Sequence, residues 1–192
     1  MRWLPTLSAT ALIALTFLAA QAITLFLFGQ PPICTCGYIK AWEGTVLGPG
    51  NSQHLSDWYT FSHIVHGFIF YGLLALIFPR VAARRRLLIA LGIEIAWEIT
   101  ENTPMVIQHY REQALAQGYT GDSIINSFMD SVFMALGFVF AWRSPWWVTV
   151  AAALALEVFV LIMIRDNLTL NVINLIHPVQ SIADWQAAGG IK

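Results

Sequence analysis

Charge is what this sequence has least of. Only 11% of its 192 residues are Asp, Glu, Lys or Arg, against about 25% in a soluble domain. That scarcity excludes an ordinary water-soluble globule. The charges that remain nearly cancel, to a formal −1, so no basic field points to a nucleic-acid partner. Cysteine is also scarce, with Cys34 and Cys36 the only two. A Gly-x-Ser-x-Gly nucleophile turn is missing. So is the Glu-x-x-His pair of the usual di-iron bundle, and no internal repeat of the kind found in many carriers is visible.

What is present is apolar. Hydrophobic residues make up 57% of the chain and the mean hydropathy is +0.64. Five apolar runs, at about 7–28, 60–78, 87–103, 122–141 and 146–164, are each long enough to cross a hydrocarbon core of roughly 30 Å as a helix. In lipid every backbone amide must be paired internally, so the segments are expected to be helical. The expected fold is one all-α membrane domain, a bundle of five transmembrane helices over residues 1–192. Ala20-Gln21-Ala22 loosely resembles a signal-peptide cleavage site. The apolar run continues through Ile23 to Phe28, however, so an uncleaved first span is expected.

Orientation follows from the arginines. With the N-terminus inside, the inner segments carry Arg2, Arg80, Arg84, Arg85, Arg86 and Arg143 and no acid. The longer outer segments hold only Lys40, Arg111, Arg165 and Lys192. This positive-inside bias predicts N-terminus in and C-terminus out in a bacterial inner membrane. The tail after Asp166 is too polar for a sixth span and reads as an amphipathic segment on the outer surface. The loop from Asn102 to Gly121 contains a short amphipathic stretch that reads as a lid.

Against this apolar background six ionisable side chains stand out: His63, His66, Glu94, Glu98, Asp130 and Glu157. Such groups are expensive in a membrane and commonly mark a site or a pathway. His63 and His66 are three apart and share a face, about 5 and 9 Å below Thr60. Glu94, Glu98 and Glu101 follow an i, i+4, i+7 spacing on the third run. Asp122, Asn126 and Asp130 repeat the pattern on the fourth, and Glu157 lies on the fifth. The economical packing turns the four stripes toward one another. Several carboxylates cannot be buried together as anions without compensation, and no Lys or Arg lies in the stripes. Protonation, the two histidines or a bound metal must compensate.

Each residue has a plainer reading. An intramembrane His or Asn often does no more than bond a neighbouring helix, and Glu98 and Glu101 can simply sit at the headgroups. The coincidence across helices favours a site. Its expected metal ligands are His63, His66, Glu98 and Asp130, around zinc or iron/manganese. Glu98, Asp130, His66 and Glu94 are the expected catalytic groups, and Asp122, Asn126, His54, Asp57 and Glu101 the expected substrate contacts. The segment from Asn51 to Tyr59 leads into the His63/His66 face and is expected to cap it. Cys34 and Cys36 are two apart, so a disulfide between them closes a small ring and is labile or redox-active. Two other readings stand beside it: a soft-metal pair with His54, or two unrelated thiols.

Trp97-Glu98-Ile99-Thr100-Glu101-Asn102, the run from Gly121 to Asp130, and His63-Ile64-Val65-His66-Gly67 resemble an uncharacterised bacterial inner-membrane family known only as a domain of unknown function. The resemblance extends over nearly the whole chain. More remotely, a His-Gly, an acid pair and Asp-x-x-x-Asn on successive spans resemble VanZ-like proteins, whose association is with glycopeptide resistance. Three functions compete on the residues. One is a hydrolase acting on a membrane lipid or lipid-linked substrate. The others are a non-catalytic binder of lipid or envelope precursor, and a proton- or metal-coupled carrier, for which a homodimer supplies the missing repeat.

Overall fold

A computed structural model describes residues 4–189; Arg2 and Lys192, used above for orientation, lie outside the described residues. Those residues form eight helices and no strand: α1 (Leu4–Leu27), α2 (Thr60–Ile77), α3 (Ala83–Glu101), α4 (Pro104–Arg111), α5 (Ile124–Arg143), α6 (Trp146–Ile164), α7 (Leu168–Ile176) and α8 (Gln180–Ala187).

Four helices, α1, α2, α5 and α6, are long and apolar enough to cross a membrane. Large side chains on them point outward with nothing packed over them, among them Leu12, Leu15, Leu76, Leu154 and Ile162. A water-soluble chain seldom leaves so broad an apolar surface bare. α3 forms where the third run was expected but is not among the four. It starts with Arg84, Arg85 and Arg86 and carries three glutamates.

α2 and α5 are the most intimately packed pair. At their crossing Gly67 faces the backbone of Met134 and Phe138, and Gly137 faces the backbone of Ile64. Small residues permit such approach between membrane helices. α3 lies against α1, α2 and α5. The apolar core beneath the polar groups is built from Leu74, Ala90, Leu91, Ile95, Met134 and Phe138.

At one end of the bundle α2 and α5 begin and α3 ends. Asp57 organises the entry to α2, accepting from the backbone N–H of Ser52 at 2.9 Å and of Tyr59 at 2.8 Å. Ser123 caps α5 by accepting from the N–H of Asn126. Oxygens at helix N-termini satisfy amides that have no partner within the helix. The same end is covered by α4, as the amphipathic reading of that loop anticipated, and by α7 and α8. The tail is thus a pair of short docked helices. Arg165 donates to the Trp185 carbonyl at 2.7 Å, and Gln186 donates to the Arg165 carbonyl at 3.0 Å.

Candidate functional site

Three of the four polar stripes converge. From α2, His63 Nδ1 lies 2.6 Å from Glu94 Oε1, and His66 Nδ1 lies 3.1 Å from Glu94 Oε2. One carboxylate on α3 therefore orients both imidazoles. Fixing Nδ1 in this way leaves Nε2 of His63 facing Asp130 of α5, at 3.9 Å from Oδ2. Glu98, one turn beyond Glu94, is wholly buried, and its Oε1 lies 3.4 Å from His63 Nδ1. Ser127 of α5 donates to the other Glu98 oxygen. Gln21 of α1 donates in turn to the Ser127 carbonyl and hydroxyl and accepts from Ser131.

Beyond this lies a second acidic group. Ligand atoms of Glu98, Glu101 and Asp122 fall within 4.8 Å of one another, as do those of His63, Glu98 and Asp130. Asn102 grips Asp122 at both ends of its amide, donating to Oδ2 and accepting from the Asp122 N–H, each at 2.7 Å. Tyr119 donates to the remaining Asp122 oxygen at 2.9 Å. Burial, and then the Asp122 charge, push the Tyr119 phenol well above its usual range, so it remains a donor.

A cavity of about 60 Å³ opens beside these residues, room for roughly four to six waters. Its walls include His63, His66, Glu101, Asp122 and Asp130, together with Tyr59, Tyr110, Asn171 and Gln186. Asp166, on the same wall, accepts from Tyr59 at 3.2 Å and from Gln186. Burial raises its carboxyl to about 7 against the pull of these bonds.

The remaining expected residues sit elsewhere. Glu157 does not face the others. Its carboxylate accepts from the N–H of Leu168 and of Thr169 and from the Thr169 hydroxyl. It caps α7, which the helical period could not reveal because α7 lies in another segment. Asn126 spends its amide on the His54 carbonyl at 2.9 Å. His54 is buried in the loop between α1 and α2, accepting from the Lys40 N–H and lying 3.8 Å from Glu43. Asp57 holds backbone, and burial pushes its carboxyl up although three backbone amides pull it down. None of these three lines the cavity. Arg111 donates to the Tyr119 carbonyl at 2.6 Å and so braces the covering loop. Cys34 and Cys36 are joined as a disulfide.

Gln21, Asn102, Ser127, Tyr119 and Asp166 were absent from the expected site. Ser127 lies four residues after Ser123 and one after Asn126, so the α5 stripe held a signal for it. Gln21 is a lone amide in an apolar run, and lone polar residues of that kind commonly bond a neighbouring helix. Tyr119 and Asp166 lie in aperiodic segments and gave no signal.

The sequence comparisons agree with one another. A 54% identical UPF0314 protein from Sphingopyxis alaskensis aligns over 178 residues, 93% of this chain and 95% of the relative. A Rhizobium etli UPF0314 protein is 57% identical over 91% of this chain and 88% of its own length. One from Brucella anthropi is 50% identical over 92% and 90%. No solved structure matches. The remote VanZ-like resemblance gains no support from these relatives. A family model described as a protein of unknown function, DUF2585, matches residues 25–188, and the chain belongs to that family of uncharacterised bacterial proteins.

Proposed function

We propose that this protein is a bacterial inner-membrane hydrolase that uses a divalent metal held by His63, Glu98 and Asp130 to act on a lipid or lipid-linked substrate. The observation that carries this reading is the arrangement of the three donors. Each has one atom held by a neighbour, and one ligand atom from each of the three lies within 4.8 Å of the others. Glu94 holds His63 Nδ1, Ser127 holds one oxygen of Glu98, and Thr60 holds Asp130 Oδ1 at 3.4 Å. Glu98 Oε1 is buried without a hydrogen-bond partner. Metal-ligating histidines and carboxylates are commonly oriented by such outer bonds. A metal held there would supply Lewis acidity and would lower the pKa of a bound water toward about 7.

The protein's own groups divide the remaining work. Glu94 fixes the ring of His63, and His66 at the cavity wall is placed to exchange a proton with a bound group. Asp122, presented by Asn102 and Tyr119, orients the substrate's polar end with Glu101. A cavity of about 60 Å³ is far below the roughly 300–1,000 Å³ that encloses a whole ligand. It suits a headgroup whose acyl chains stay in the bilayer, so membrane lipid is the partner this reading requires.

The topology in this reading has α3 as a fifth span, shielded by α1, α2 and α5. Arg80, Arg84 to Arg86 and Arg143 lie at the cytoplasmic face. The cavity, α4, α7 and α8 lie at the outer face, with the C-terminus out.

Elemental analysis of detergent-purified protein tests the reading. Wild type should carry a stoichiometric divalent metal that His63→Ala and Asp130→Asn lose while remaining helical. Glu98→Gln should abolish ester release from a bacterial lipid extract in vesicles. Well-folded wild type that takes up no zinc, iron or manganese on incubation would sink the proposal.

A further inference from the structure

Glu98 belongs to two ligand groups at once. One joins it to His63 and Asp130, the other to Glu101 and Asp122, and in both the ligand atoms lie within 4.8 Å of one another. It is wholly buried, and one of its oxygens has no hydrogen-bond partner. Two members of each group, His63 and Asp130 of the first and Glu101 and Asp122 of the second, line the cavity, and Glu98 is buried behind them.

Charge points the same way. Six carboxylates, Asp122, Asp130, Asp166 and Glu101 on the cavity wall and Glu94 and Glu98 buried behind it, stand against two imidazoles, and no lysine or arginine lines the cavity. A single divalent cation offsets two of those carboxylates and a pair offsets four. Carboxylates buried together stay ionised only when paired or bound to metal, and are otherwise neutralised by protonation.

Building on the single-metal reading above, we propose that the polar core holds two divalent cations bridged by Glu98, one bound with His63 and Asp130 and the other with Glu101 and Asp122. The donor sets differ in kind. The first includes an imidazole and suits zinc, iron or manganese, whereas the second is all carboxylate and selects a harder ion. Manganese satisfies both sets and is the probe of choice.

The full-length protein, purified in detergent, is stripped with chelator and reloaded with Mn(II). Bound manganese is then counted, and its paramagnetic resonance spectrum recorded, for wild type, Glu101→Gln and Asp122→Asn. The expected result is two ions per wild-type chain with an exchange-coupled spectrum. Each variant should keep one ion with an uncoupled spectrum, at unchanged helicity. One ion in wild type, or two coupled ions retained in both variants, overturns the bridge while leaving the first site intact. No manganese in any folded sample overturns the two-ion core, and the single-metal reading falls with it only when zinc and iron are not taken up either.

Discussion

The α2–α5 crossing gives the sharpest test of how this bundle is held. A methyl on Gly67 would fall inside contact distance of the Met134 carbonyl and the Phe138 amide, and one on Gly137 would strike the Ile64 backbone. Carbon contacts settle at about 3.5–4.0 Å, so the two helices must part by more than about 1 Å to admit either. Backbone cannot rotate away as a side chain can, which places the cost toward the upper part of the usual ~1–3 kcal/mol for overpacking. Helix propensity returns about 1 kcal/mol of that in each Gly→Ala change. Gly72, on the same α2 helix, has nothing within 4 Å of its missing Cβ. Thermal unfolding of detergent-solubilised protein should therefore fall for Gly67→Ala and Gly137→Ala, by roughly 2–4 °C per kcal/mol lost at this chain length. Gly72→Ala should hold or rise. The double variant should lose less than the two single losses added, because the first methyl has already parted the helices. Equal melting of Gly67→Ala and Gly72→Ala would refute close backbone contact as the organising feature of the bundle.

Other outcomes follow from the polar bonds. Asn102→Ala leaves the Asp122 amide and carboxylate without their buried partner and should cost about 1–3 kcal/mol, read as a lower unfolding temperature; Asn102→Asp should not restore it, since a carboxylate cannot donate to Asp122. Glu157→Gln weakens the cap of α7 by about 0.5–2 kcal/mol and should speed proteolysis of the tail without changing bound metal. Equal loss of metal and tail protection would place Glu157 in the site after all. For Asp166 the folded carboxyl is raised to about 7, above an unfolded value of about 3.9. Folding thus favours the protonated form. Its contribution is fully present below about pH 4 and is lost as pH rises to about 7. Asp166→Asn should flatten that part of the stability–pH curve, and an unchanged slope would show that Asp166 is not its source.

The periodic parts of the site were readable in advance. His63 and His66 share a face of α2, Glu94 and Glu98 share one on α3, and Asp130 follows Asn126 by one turn, so spacing alone turned these groups toward each other. Spacing says which face a residue occupies but not what covers that face. Glu157 satisfied the same criterion and found its partner in α7, outside any span. Asn126 also lay on the right stripe, yet its amide reaches outward to the His54 carbonyl. The covering residues Tyr119, Asp166 and Gln186 come from turns and short helices whose positions depend on tertiary packing, which no local period encodes. α3 shows the converse. Its polar residues keep it out of the helices apolar enough to cross a membrane, and they are the same residues that build the candidate site.

The polar helix has a consequence for how the chain is made. Glu98 of α3 receives its hydrogen bond from Ser127, on α5, and Asp122, its neighbour in the second acidic group, is also translated after α3 is complete. When α3 leaves the ribosome, then, only the contacts to α1 and α2 exist. A charged residue at mid-membrane costs about 2.5–3.5 kcal/mol on insertion, so α3 by itself is a poor candidate for release into lipid. If α3 is the fifth span proposed above, biogenesis of this protein requires the nascent chain to be retained in a sheltered, partly hydrated environment until α5 arrives. Commitment to the bilayer is then a property of the assembled hairpins rather than of each helix in turn.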